Sequence, residues 1–386
     1  MSQNHDYNQG ALDLHKQFGG KLETVSKIKL DNREALSQAY TPGVAAVCNA
    51  IAADKSLDKV LTLKKNTVAI ISDGSAILGL GNLGASAAIP VMEGKAAILK
   101  EFADVDAFPI CIDTQDTEEI INIIKNIAPV FGGVNLEDIA SPKCFEIEER
   151  LRAELSIPVM HDDQWGAATV ALSAFINSIK LAEKKKDNVR VVLSGVGAAG
   201  VATARLLNAY GVKNMIYVDS KGIINSSRND LNKEKLELIN NSNIKDLVGD
   251  LSQAVAGADV FIGLSKPNVL TGEMVKTMNQ KPIIFGLANP TPEIIPELAT
   301  EVGAFIIATG RSDYPNQINN SLVFPGFWRG VLDAQSAGTY KKIELETFVT
   351  IAEALADYVT DLKRDNILPN MFDRGVVKVI ADIVSK

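Results

Sequence analysis

Two rhythms of apolar and polar residues alternate along this chain and exchange places many times. After a polar opening, short β-branched runs at Thr67–Ile71, Ala107–Ile112 and Ile157–Met160 read as strands. Amphipathic stretches lie between them. The clearest is Glu118–Ile127, where Ile120, Ile123, Ile124 and Ile127 recur at helical spacing and Asp116 or Thr117 is placed to cap the start. Another helix is expected to begin near Gly166, and the charged stretch Glu183–Asn188 that follows it is the sharpest break in composition. Beyond the break, Val189–Leu193, Met215–Val218, Val260–Gly263, Ile283–Phe285 and Phe305–Ile307 are strand-like, with helical or turn-rich segments between them. Strands that alternate with helices predict a doubly wound parallel sheet. The final helical patterns, Glu344–Leu362 and Asp373–Val384, are expected to pack back on the first half or on a partner subunit. No internal repeat or low-complexity tract interrupts this order.

Length turns the pattern into two domains, since 386 residues exceed the usual span of one hydrophobic core. Their expected extents are residues 1–160 and 161–386. Hydrophobic residues make up 46% and charged residues 22%, a globular rather than a disordered balance. A net charge of −8 provides no basic footprint, which argues against nucleic acid and against anionic membrane surfaces as partners. Cys48, Cys111 and Cys144 are odd in number and widely spaced, which disfavours a disulfide framework or a thiolate metal site and fits a reducing cytoplasm. The stretch Met1–Gly10 lacks the basic start and apolar core of a signal peptide, and no apolar run of membrane-spanning length is expected.

The strongest chemical motif sits inside this pattern. The run Val189–Leu193 leads into Gly195-Val-Gly197-Ala198-Ala199-Gly200, Val201–Tyr210 reads as a helix, and Met215–Val218 returns to strand before Asp219. Gly195 permits the tight turn, Gly197 lets the backbone approach a pyrophosphate, and Gly200 lets helix and strand pack closely. The helix N-terminus attracts the phosphate charge. Asp219 is placed to accept hydrogen bonds from ribose hydroxyls, and its carboxylate disfavours a 2′-phosphate. The second half is therefore expected to be a Rossmann-like sheet binding NAD. NADP is the alternative, because Ser220, Lys221 and Arg228 lie nearby.

The first half contains two adjacent acid pairs, Glu137-Asp138 and Asp162-Asp163, each directly after a strand-like run. With only His5, His15 and His161 in the chain and no thiolate cluster, a cation held there would meet carboxylate oxygens, which suits Mg²⁺ or Mn²⁺ over Zn²⁺. The alternative is helix capping, by Asp138 for a helix near Phe145 and by Asp163 for the helix near Gly166. A second glycine-rich loop, Asp73–Gly84, is not followed by Lys-Ser or Lys-Thr and so is no P-loop; a close backbone approach to substrate or to a neighbouring chain is the reading left. Lys95 follows, and burial beside an apolar wall would lower its pKa and make it a general base. Tyr40-Thr-Pro-Gly reads as a turn, and Asn289-Pro and Asn319-Asn320 are loop amides able to orient a carboxylate.

Taken together, YTPGV, DGSAILGLGNLG, PVMEGKA, GVNLEDI, IPVMHDDQ, the GVGAAG loop, FGLANPTPE and INNSLVFPG resemble the malic enzyme family in its short bacterial form, in order from about Tyr40 to Asp333. The resemblance implies oxidative decarboxylation of L-malate to pyruvate and CO₂, with NAD or NADP and a divalent metal. It places the metal-binding acids on Glu137, Asp138 and Asp163, the general base on Lys95 and the general acid on Tyr40. Substrate-binding asparagines fall on Asn289 and Asn320, Asp162 supports the site from its edge, and a homodimer is implied. This chain departs from the expected HDDQHGTA by carrying Trp165 and Ala167, which touches hydrogen bonds behind the ligands and cofactor preference. Ala76 stands where larger relatives place an arginine before LGLG, leaving the partner of the substrate C1 carboxylate open among Asn289, Asn320 and an unassigned basic residue. Competing readings are a malolactic reaction giving lactate, a metal-independent amino- or hydroxy-acid dehydrogenase, and a non-catalytic NAD-sensing protein.

Overall fold

The computed structural model describes residues 7–386, so His5 lies outside the described residues. Among these, ten strands form two sheets, and every strand of the first is parallel to its neighbours. The first sheet comprises β1 (Thr67–Ser72), β2 (Asp106–Cys111), β3 (Gly133–Leu136) and β4 (Val159–His161), in the order β2-β1-β3-β4. The second comprises β5 (Arg190–Ser194), β6 (Asn214–Asp219), β7 (Gly222–Ile223), β8 (Val260–Gly263), β9 (Ile283–Gly286) and β10 (Ile306–Thr309), in the order β10-β9-β8-β5-β6-β7. Only the two-residue edge strand β7 runs antiparallel.

Parallel pairing follows from the helix that succeeds each principal strand, because a parallel neighbour can be reached only by a crossover. Helices on both faces leave the inner strands without a wet side, whereas the edge strand β2 stays partly exposed. Val68, Ala69, Ile70 and Ile71 of β1 are accordingly all fully buried, and the sequence there is a continuous apolar run rather than an alternating one.

Each sheet contains a point where strand order reverses. In the first sheet the chain passes from β1 to β2 on one side and then to β3 on the other; in the second it passes from β5 to β6 and then to β8. Crevices open at the carboxyl ends of strands at such points. The registers Ile71 to Leu136 and Leu136 to His161 bring three strand ends of the first sheet level. The residues that follow them are Asp73, Glu137-Asp138 and Asp162-Asp163.

The helix expected near Gly166 begins four residues earlier and spans Asp162–Ala182. Asp163 therefore does not cap it from outside; both acids occupy its first turn, where the helix dipole favours negative charge. Asp138 caps nothing either, because the next helix, Lys143–Glu154, starts from Pro142, while Asp138 sits in a left-handed turn at φ 52°. The Asp162–Ala182 helix also corrects the expectation about apolar runs. Its 21 residues are long and apolar enough to cross a membrane, yet 78% of the relevant window is buried inside the fold, as a core helix requires.

The C-terminal helices Phe324–Ala337 and Arg374–Val384 return to the first sheet. Trp328 lies flat against Gly133, where a Cβ would collide with its ring, and Gln335 Nε2 donates to the Gly132 carbonyl at 2.9 Å. The helical pattern Glu344–Leu362 is realised as the shorter Leu345–Tyr358. In contrast to this packed body, the helices Tyr7–Phe18, Arg33–Ala39 and Val44–Ala53 bury no residue.

Candidate active site

Lys95 projects from the helix Ala85–Ala103 into the crevice beyond β1 and β3, with only 6% of its surface exposed. Its Nζ is 2.7 Å from Glu137 Oε2, donates to Asp162 Oδ2, and lies 4.3 Å from the centre of the Phe324 ring. The apolar wall is therefore present, but the expected fall in pKa is not. Burial pulls the ammonium down, and Asp162, Glu137 and Asp163 together outweigh it, so the pKa lies above the ordinary lysine value. Asp162 likewise proves central rather than peripheral. It is fully buried, and its Oδ2 accepts from Asn320 Nδ2 at 2.7 Å as well as from Lys95. Gly166 makes room for it, since a Cβ there would overlap Asp162 Oδ1.

Beside this pair, Glu137, Asp138 and Asp163 bring one oxygen each to within 4.8 Å of one another. The Asp138 backbone N–H donates to Asp163 Oδ2 at 2.8 Å. Burial, and then the neighbouring Asp163, push the Asp138 carboxyl up to about 7. Glu137 is raised well above its ordinary range, first by burial. Asp138 Oδ2 and Asp162 Oδ1 are buried acceptors without a donor among the described residues. A hard divalent cation suits such a set: three carboxylates, no sulfur, and oxygens in need of a positive partner.

The glycine-rich loop Asp73–Gly84 runs over this cluster. Its Ala76 N–H donates to the Asp138 carbonyl at 2.9 Å, and Ser75 Oγ accepts from Ala140 N–H at 2.8 Å. Gly79 approaches the carbonyl of Asn289 so closely that a Cβ would lie 2.9 Å from it. Asn289 is thus placed on the turn after β9, exposed and facing the loop rather than joined to Lys95. Tyr40 is the residue the chain does not bring in. It is 69% exposed at the end of the helix Arg33–Ala39, with no partner for its side chain among the described residues.

Across the second sheet, Gly195 turns at φ 99° against the carbonyl of Leu264, and Gly200 seats its helix on the Gly195 carbonyl, so neither position has room for a side chain. Gly197 differs. A Cβ there would find only Ser141 Oγ, at 3.8 Å, so this backbone faces open space. Ala198 and Ala199 begin the helix Ala198–Tyr210, with free N–H groups at its start. A cleft of about 610 Å³ lies against Gly195, Gly197, Asp219 and Ser265. These features fit a dinucleotide's pyrophosphate.

Asp219 is more encumbered than its sequence context suggests. Arg228 grips it at 2.8 and 3.0 Å, Lys235 Nζ donates at 2.7 Å and the Lys221 N–H at 2.9 Å. Burial alone would raise its carboxyl, but these donors hold it down at about 2.

The second half of the chain matches the family model described as malic enzyme, NAD binding domain, over residues 165–385, and the first half that of the malic enzyme N-terminal domain over residues 19–152. The chain belongs to the malic enzyme family. It is 53% identical to an NAD-dependent malic enzyme of Geobacillus stearothermophilus, covering 95% of this chain and 76% of the relative. It is 48% identical to a bifunctional malic/malolactic enzyme of Bacillus subtilis, covering 97% and 92%. The crystal structure of an NAD-dependent malic enzyme from Thermotoga maritima superposes with a TM-score of 0.93 at 48% identity, over 97% of this chain and 98% of that one.

In this malic enzyme the side chains that sequence reasoning left out are those that hold the others. Asn135, two residues before Glu137 on the same face of β3, donates to Glu137 Oε2 at 3.0 Å and accepts from Trp328 Nε1 at 3.0 Å. Its period-two relation to Glu137 was the available signal. Phe324 gave none, since an apolar residue after a loop asparagine reads as core.

The Asp219 cluster sets a pH dependence. A folded pKa near 2, below the ordinary 3.8, means the pairing stabilises the fold fully above about pH 4 and is lost as pH falls through about 2. Urea unfolding across that window should show stability falling with pH in the parent protein and a flatter profile in Asp219→Asn. Equal slopes would contradict the pairing.

Proposed function

We propose that this malic enzyme oxidatively decarboxylates L-malate to pyruvate and CO₂ with reduction of NAD, dependent on Mg²⁺ or Mn²⁺, in the cytoplasm. The observation that carries the reading is the buried Lys95 ammonium between Glu137 and Asp162, directly beside three convergent carboxylates. When bound, a nicotinamide supplies the hydride acceptor and a divalent cation supplies the Lewis acid that draws electrons from the breaking C–CO₂ bond. Glu137, Asp138 and Asp163 are the residues to hold the cation. Gly195, Gly197, Ala198, Ala199 and Gly200 cradle the pyrophosphate, with Asn289 at the cofactor side.

The chain's own groups handle protons and orientation. Lys95 takes the C2 hydroxyl proton after passing its own to Asp162, whose carboxyl burial holds above the ordinary range despite the lysine beside it. Asn320, fixed on Asp162 through its amide N–H, leaves its carbonyl oxygen for substrate, and Asn289, on the turn against Gly79, is the second amide assigned to it. Phe324 and the Asp73–Gly84 loop exclude water from the reacting carbons. Protonation of C3 falls to Tyr40, which requires the arm that carries it to be covered. We read that arm as the surface of a homodimer, because Leu22, Val25, Ile28, Leu30 and Leu36 are all at least 41% exposed and apolar side chains gain by burial against a partner.

NAD is the proposed carrier because Asp219 stays anionic at the end of β6. Arg228 and Lys235 are positioned to admit NADP at lower efficiency, since they already offset the aspartate's charge.

Spectrophotometric assays with L-malate and Mn²⁺ should show NADH forming together with pyruvate. Chelator should abolish the signal, and Lys95→Ala should lower kcat by about 10²–10⁴-fold. Lactate as product without NADH would favour the malolactic reading suggested by the Bacillus relative, and activity surviving both treatments would overturn the mechanism. In the same assay Asp219→Ser should shift the kcat/KM ratio toward NADP, by freeing Arg228 and Lys235 for a 2′-phosphate. Sedimentation should give a dimer that dissociates when Val25 and Ile28 are both replaced by Asp; a monomeric parent refutes the covered arm.

A further inference from the structure

The acids at the start of the Asp162–Ala182 helix are presented by a turn, His161 to Trp165, whose donors converge on one buried carboxylate. That carboxylate is Glu148, on the helix Lys143–Glu154, with 5% of its surface exposed. Its Oε1 accepts the His161 backbone N–H at 3.0 Å and the Trp165 indole N–H at 2.8 Å. Its Oε2 accepts Gln164 Nε2 at 2.8 Å and lies 3.1 Å from the same indole nitrogen. Gln164 Nε2 is also 3.0 Å from His161 Nδ1, and the ring's other nitrogen is 3.2 Å from Asp163 Oδ2. A continuous series of polar contacts thus runs from Glu148 to an oxygen of Asp163. On its far side Trp165 stacks on Phe348, with ring centres 5.2 Å apart.

A carboxylate sealed from water is a costly way to join two helices, and apolar residues of the same shape would serve stability as well or better. What the charge adds is direction. An ionised carboxylate accepts only, so every group that faces it must be a donor. That requirement leaves the Gln164 amide one orientation and the indole one approach, and it fixes the backbone at His161. Trp165 meets it with a donor that has no ionisation of its own, whereas a histidine in that place would donate through a ring that titrates near neutrality.

We propose that Glu148 is a positioning residue for divalent-cation binding, acting through Trp165, Gln164 and His161 to hold Asp163 and Asp162 where the cation and Lys95 need them. The proposal rests on the metal-dependent reading above. It distinguishes this chain's Trp165 from a mere space-filler and gives the departure from HDDQHGTA a task.

The test is Mn²⁺ binding to the full-length protein without substrate or nucleotide, read from the electron paramagnetic resonance of the free ion. Glu148→Leu should raise the Mn²⁺ dissociation constant by about 10–100-fold, the range seen when groups behind a ligand are removed. Trp165→Phe, which keeps the stacked ring and loses only the N–H, should raise it by less, and Trp165→His should restore it in part. NADH affinity, read by fluorescence, should stay unchanged in all three. Should Glu148→Leu fail to fold, Glu148→Gln and Trp165→Phe decide the matter by the same readout. Parent-like Mn²⁺ affinity in the folded variants overturns the proposal, as does a loss of NADH affinity in equal proportion. A parent protein that binds no Mn²⁺ overturns the metal reading and this one together. A parent that binds it, with loss confined to Glu137→Ala, overturns this one alone.

Discussion

Burying an ammonium group costs several kcal/mol unless anions and hydrogen-bond acceptors surround it, and the Lys95 site is arranged around that demand. The two carboxylates that meet it come from different segments, Glu137 after β3 and Asp162 after β4. They stand together only because those parallel strands end level with β1. A sheet with a different register would separate them by a side-chain length. The anions also exceed what the lysine needs. Glu137, Asp138, Asp162 and Asp163 carry up to four negative charges against one, and burial first, with the neighbouring carboxylates adding to it, raises Glu137, Asp138 and Asp162. Such an excess is unfavourable for folding alone, and the divalent cation proposed for the three convergent oxygens would balance it.

How much of this was legible beforehand depended on whether a feature was local. The buried inner strands were legible because parallel strands covered on both faces are plain apolar runs, the two-residue antiparallel strand Gly222–Ile223 was not, being too short to show a pattern, and the turn at Gly195 was legible because its glycines have steric reasons that hold in any such turn. The start of the Asp162–Ala182 helix was missed by four residues, since an aspartate before an apolar helix looks the same whether it caps the helix or sits in its first turn. The direction of the Lys95 pKa was also out of reach. It depends on three carboxylates from positions 137, 162 and 163, and a lysine beside an apolar wall without them would shift the other way. Asn320 and Asp162 are 158 residues apart and meet only in the folded chain. Glu148 falls at helical spacing from Cys144, Phe145 and Leu151, so the pattern placed it on the buried face, but the donors that face it come from positions 161, 164 and 165 and could not be read from the helix itself.

Asp219 shows how a correct motif can carry a wrong emphasis. An acid at the end of the second strand of such a unit is expected to present a bare carboxylate, hostile to extra phosphate. Here four N–H donors already occupy it, three of them on the cationic side chains of Arg228 and Lys235. The pocket rim is thus a balanced cluster rather than a negative one. Discrimination between the two dinucleotides then depends on which partner of the cluster yields, and that is a matter of geometry more than of net charge.

The two halves are joined by a helix that belongs to both. Its first turn, Asp162 and Asp163, serves the acid cluster, and its buried length packs against Ala198–Tyr210, the helix whose N-terminus faces the dinucleotide cleft. A rigid core helix transmits displacement rather than absorbing it. The spacing between the dinucleotide helix and the acid cluster is therefore fixed by the packing of this helix. The contact between Gly79 and the Asn289 carbonyl closes the same gap from the opposite side. The C-terminal helices Phe324–Ala337 and Arg374–Val384, which follow the second sheet in the chain and pack back on the first, make a third connection, so the spacing of the two sheets is held from several sides at once.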